Sequence, residues 1–135
     1  MPPTPTALDP TGDSTHPESY VVVLSSLPRN TELLVDFLQK QGYPAQGAAN
    51  LDHLDRLLDE GAAISLALLD ISGLNAGLWS RCERLQTLGI PFLIISPRQS
   101  AVVERESMAH GARGTLTKPL VMRELTALIK ALLKE

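Results

Sequence analysis

Tyr20-Val21-Val22-Val23-Leu24, closed by Ser25-Ser26, is a short β-branched run with almost no polar interruption. That is the pattern of a strand covered by helices on both faces. Two further runs share it: Ile64-Ser65-Leu66-Ala67-Leu68-Leu69, which ends in Asp70, and Pro91-Phe92-Leu93-Ile94-Ile95, which ends in Ser96 before Pro97. Working outward, Pro28 opens a helix in which Leu33, Leu34, Phe37, Leu38 and Gln41 follow at helical spacing until Gly42. A weaker strand is expected at Tyr43 to Gly47. Asn50 then serves as N-cap of a helix striped by Leu51, Leu54, Leu57 and Leu58, with Asp52, Asp55, Arg56 and Asp59 around it.

Gly61 separates that helix from the Ile64 run. Asn75 to Leu88 reads as a third helix, with Leu78, Cys82 and Leu85 inward and Trp79 beside the stripe, and Gly89 stops it. Ser100 is a fitting cap for a fourth helix that reaches His110, and Gly111 supplies its stop. A short strand at Gly114 to Thr117 precedes Lys118-Pro119. Val121 to Leu133 forms the last helix, with Leu125, Leu128, Ile129 and Leu132 inward. Five strand–helix units in succession predict a doubly wound α/β fold, a five-stranded parallel sheet with right-handed crossovers.

The totals restrict function. A chain of 135 residues with 44% apolar residues has room for one domain with a real core. Residues 1–19 hold five prolines, three acids and no lysine or arginine, and are expected to be a flexible tail ahead of a domain at 20–135. That domain carries 12 acidic and 12 basic side chains and few aromatics, which argues against nucleic acid as a partner. No stretch reads as a secretory signal or a membrane span, and Cys82 is the only cysteine, so a cytoplasmic location is expected. His16, His53 and His110 lack partners at metal-ligand spacing and are expected to be solvated or partly packed.

In parallel sheets of this kind ligands meet the carboxyl ends of the strands. Ser25, Asp70, Ser96 and Lys118 all fall there, although they are far apart in sequence. A carboxylate so placed can accept a phosphoryl group if a cation, a fixed ammonium and a hydroxyl stabilise the oxygens. Lys118 and Ser96 suit the last two roles. Magnesium usually needs two or three carboxylates close together, and Ser25 and Ser26 offer only neutral oxygens.

At these residues the chain resembles the response-regulator receiver (CheY-like) family from about Val21 onward. Leu69-Asp70-Ile71 is similar to the family's phosphoacceptor motif, Ile94-Ile95-Ser96 to its switch hydroxyl, and Gly111-Ala112 through Lys118-Pro119 to its glycine-alanine and lysine-proline motif. The resemblance implies the flavodoxin-like strand order 2-1-3-4-5, Asp70 as phosphoacceptor, Lys118 as phosphoryl-contacting lysine and a cis peptide bond at Lys118-Pro119. It also implies a carbonyl metal ligand at Ser72. The chain departs from the pattern where Ser25-Ser26 replaces the acidic pair, where the loop after Asp70 is one residue short, and where Thr115 replaces the strand-five aromatic.

Plainer roles stand beside these. Asp70 and Lys118 could form a resting salt bridge, Ser96 could cap the turn before Pro97, and Ser25 or Ser26 could be the N-cap of the first helix. The leading expectation is a degenerate receiver, not an enzyme, that signals through protein contacts without a cofactor, magnesium binding being weak at most. Its partner would be a histidine kinase or downstream effector. By resemblance, the face of helix four, strand five and helix five, with Glu104, Arg105 and Arg123 exposed on it, is the candidate surface for a partner or homodimer. The alternatives are a phosphorylatable receiver, with magnesium held by Asp70, Ser72 and water, and a small-ligand-binding domain of flavodoxin-like shape.

Overall fold

The computed structural model describes residues 19–71 and 77–133. It contains five strands and five helices in strict alternation: β1 Tyr20–Leu24, α1 Pro28–Lys40, β2 Ala45–Ala48, α2 Leu51–Asp59, β3 Ile64–Asp70, α3 Gly77–Thr87, β4 Phe92–Ser96, α4 Ala101–Ala109, β5 Gly114–Thr117 and α5 Met122–Leu133. All pair in parallel in the order β2-β1-β3-β4-β5. This is the expected doubly wound flavodoxin-like sheet.

Successive strand side chains point to opposite faces, so each apolar run supplies two cores at once. Val21, Val23, Leu66, Leu68, Leu93 and Ile95 meet Leu34 and Leu38 of α1 and Leu125 and Ile129 of α5. Val22, Leu24, Ala67, Leu69, Phe92 and Ile94 meet Leu54 and Leu58 of α2 and Leu78, Cys82 and Leu85 of α3. The three central strands are buried from end to end, apart from Ser65 in β3 and Tyr20 at the start of β1. Ser65 is half-buried, and the central strands leave little room for a polar face.

Several boundaries shift. The second strand runs Ala45–Ala48 rather than 43–47, with Tyr43 buried before it. In α1 the inward residues are Leu34 and Leu38, whereas Leu33 is 56% exposed and Gln41 lies past the last turn, because the packed stripe is narrower than the apolar spacing suggested. The N-cap of α1 is Leu27, not Ser25 or Ser26, and no side chain caps this end. Asn50 and Ser100 do cap, accepting from His53 N–H and Val103 N–H. The start expected for helix three at Asn75, the Ser72 position, residues 1–18, His16 and Lys134 lie outside the described residues.

Gly111 marks a turn that needs glycine. Its φ of +98° is one that side-chain-bearing residues rarely adopt, and an added Cβ would also meet the Gln86 side chain at 2.6 Å. It ends α4 and lets Ala112 N–H return to the Ser107 carbonyl at 2.9 Å.

Candidate functional site

The parallel register brings the strand ends to one edge. Asp70 pairs with Ile95 and Ser96 with Thr117, so β3, β4 and β5 end nearly level. Lys118 N–H donates to the Ser96 carbonyl at 2.9 Å and fixes the β5 end against β4. The Lys118-Pro119 peptide is cis. From this anchor the Lys118 side chain reaches Asp70, with 2.7 Å between Nζ and Oδ2.

Asp70 is 1% exposed and Lys118 28%. A carboxylate withdrawn from water needs a charged partner, and removing one half of such a pair leaves an uncompensated buried charge. The ammonium and the carboxylate therefore hold each other, as the resting salt bridge anticipates. Ser96 is buried, and its hydroxyl donates to the Arg98 carbonyl at 2.6 Å across the turn containing Pro97. Its proton is thus engaged in a local turn, the plainer of the two roles read for it.

Ser25 is also buried, but it acts one step earlier than a cap. Its Oγ accepts from Leu27 N–H at 3.2 Å and shapes the turn into α1. Ser26 beside it is exposed. Magnesium, which the resemblance implies, seeks a near-octahedral set of oxygens rich in carboxylate. At this edge Asp70 offers a carboxylate that is already bound to an ammonium. No group of three His, Cys, Asp or Glu side chains gathers there or elsewhere among the described residues. The described donors do not fit magnesium.

A cleft of about 270 Å³ opens beside the pair. Leu33, Leu34 and Phe37 of α1 form one wall, Pro119, Leu120 and Met122 the other, and Asp70 and Lys118 supply charge. Periodicity gave no sign of this cleft, since its walls are 80 or more residues apart in sequence. It also gave no sign of the polar clasp between α2 and α3, in which Arg81 meets Asp55 at 2.8 Å and Arg84 meets Asp59 at 2.6 Å.

The remaining candidates fall into ordinary packing or local contacts. Cys82 is fully buried, and burial, with a contribution from Glu83, pushes its thiol up to about 12. His53 Nδ1 accepts from Ala49 N–H at 3.0 Å. His110 stacks on Trp79, a contact that no one-dimensional pattern announced. Glu104, Arg105 and Arg123 are exposed as expected, and Thr115 is half-buried in β5.

No family model matches the chain. Its fold is similar to solved response regulators. A response regulator receiver protein from Burkholderia phymatum aligns with a TM-score of 0.78 at 21% identity, covering 87% of this chain and 96% of that one. A two-component response regulator from Clostridium difficile aligns at 0.76 and 20%, covering 87% and 98%. The chemotaxis protein CheY4 of Vibrio cholerae aligns at 0.72 and 18%, covering 84% and 98%. At these identities the likeness establishes the fold. Among the described residues no helix is long and apolar enough to cross a membrane.

Proposed function

We propose that the protein is a degenerate receiver domain, one that signals through contacts with other proteins and does not depend on phosphorylation of Asp70. The observation that carries this reading is the 2.7 Å Asp70–Lys118 pair, next to a β1 end that bears serine hydroxyls where a metal site needs carboxylates. Asp70, Ser96 and Lys118 at one sheet edge support a receiver role, and the serines at the β1 end support one without a metal.

On this reading the domain is not itself an enzyme and needs no cofactor. It acts in the cytoplasm on a kinase or effector protein. The contact face is α4, β5 and α5, where Glu104, Arg105 and Arg123 are exposed, and a second copy is an alternative occupant. The cleft beside Lys118 keeps open the small-ligand reading, for which native mass spectrometry of freshly purified protein is the check.

The decisive test is exposure of the protein to beryllofluoride and magnesium, followed by the amide NMR signals of Asp70, Ser96 and Lys118. The wild type is expected to show no magnesium-dependent change. A variant carrying Ser25→Asp and Ser26→Asp is expected to gain one that Asp70→Asn then abolishes. Magnesium-dependent binding at Asp70 in the wild type would overturn the degenerate reading in favour of a phosphorylatable receiver.

A further inference from the structure

Helix α4 has an unusual anchorage. Its one buried residue is Ser107, whose hydroxyl donates to its own helix at the Val103 carbonyl, while Val102 and Met108 are exposed. Val103 is only partly buried against the core. A helix with so little apolar contact depends on its ends.

The C-terminal end is held through His110. Its ring stacks on Trp79 of α3, with centroids 4.8 Å apart and planes 19° from parallel. Nδ1 lies 2.8 Å from the Glu106 carbonyl oxygen, which can only accept, so Nδ1 carries a proton. The neutral ring therefore turns a bare Nε2 toward Glu83 Oε2, 3.6 Å away. A second proton would land on Nε2, between the ring and that carboxylate.

That proton changes three interactions with the same sign. Nε2 and Glu83 become an ion pair that ties α4 to α3. The charged ring over Trp79 gains cation–π attraction. The positive charge also sits at the C-terminal end of α4, where the helix dipole favours it. Among the described residues, the charged side chains facing the ring are Glu83 from α3 and Glu106 from α4, whose Oε2 is 4.0 Å from Nδ1.

We propose that Trp79, His110 and Glu83 form a proton-operated tether between α3 and α4, tight when His110 is doubly protonated and loose when it is neutral. The tether stands on this geometry and not on the receiver reading. If that reading holds, the tether lies at one edge of the proposed contact face. Imidazole is the side chain whose charge ordinarily changes between about pH 5 and 8, which sets the range over which the tether is tested.

Trp79 is the chain's single tryptophan, so its fluorescence reports on this site alone. Protonated imidazole quenches indole, and the full-length protein is expected to lose Trp79 emission in one transition as pH falls from about 8 to 5. His110→Gln removes the transition, and Glu83→Gln moves it to lower pH. In parallel, hydrogen exchange corrected for intrinsic rates is expected to slow in α4 by at least about twofold on acidification, relative to α5, and not to do so in His110→Gln. A transition that survives His110→Gln, one whose position ignores Glu83→Gln, or α4 protection that does not change with pH in the wild type would each overturn the proposal.

Discussion

Helices α3 and α4 follow successive strands and pack against the same core cluster, yet they are held by different forces. α3 inserts Leu78, Cys82 and Leu85, all essentially inaccessible, and is clasped to α2 by Arg81 and Arg84. α4 fully buries only Ser107, adds a partly buried Val103, and is secured by the Ser100 cap at one end and by His110 at the other. Area burial scales with free energy, whereas a cap or a stacked ring contributes about 1 kcal/mol each. It follows that α3 belongs to the cooperative core, while α4 can shift in response to a small perturbation.

The widest gap between the two helices should appear on truncation. Leu85→Ala removes a fully buried side chain and is expected to cost about 3 kcal/mol, read as a lower urea midpoint. Met108→Ala in α4 removes a side chain that is 54% exposed and should stay within about 0.5 kcal/mol of the wild type. Comparable losses from both would mean that α4 is packed as α3 is.

The caps give a smaller and more local contrast. Ser100 Oγ accepts from Val103 N–H at 3.2 Å, and Asn50 Oδ1 accepts from His53 N–H at 2.8 Å. Each change to alanine should cost about 1 kcal/mol. The loss at Asn50 should register as lower global stability, because Leu54 and Leu58 fasten α2 to the core. The loss at Ser100 should instead raise hydrogen exchange within α4 and leave the α3 amides unchanged.

The same contrast explains what could be read from the chain. Alternating apolar runs and their stops located all ten elements, and the strand ends placed Asp70, Ser96 and Lys118 at one edge, because parallel order depends on period and connection length. Cys82 was legible as core for the same reason: it lies on the Leu78–Leu85 stripe. The outward turn of Leu33 was not, since spacing alone does not choose which of the adjacent Leu33 and Leu34 is buried. Nor was the contact between Trp79 and His110 legible. It links residues 31 positions apart through stacked ring faces, and α4 carries no apolar stripe from which its neighbours could be inferred. Neither Ser25 nor Ser26 caps α1, because the Ser25 side chain is drawn into the turn before the helix begins.

The buried thiol of α3 yields the smallest expected effect. Burial, with Glu83 contributing, raises the Cys82 thiol from 9.0 to about 12 in the folded chain. A group whose folded pKa lies above its unfolded value holds more protons in the native state, so stability falls as pH rises from the unfolded value toward the folded one. Between pH 8 and 9.5 the loss should be about 0.8 kcal/mol, with Tyr20 adding in the same direction at higher pH because burial, and then Glu60, raise its phenol too. Urea midpoints across that window should fall in the wild type and stay nearly level in Cys82→Ala, which starts from a lower stability at pH 8. The thiol lies in α3, so α4 exchange should not follow the slope. An alkaline decline shared equally by α4 and the core would mean that one titration governs both helices, and the division between a packed α3 and an end-held α4 would no longer stand.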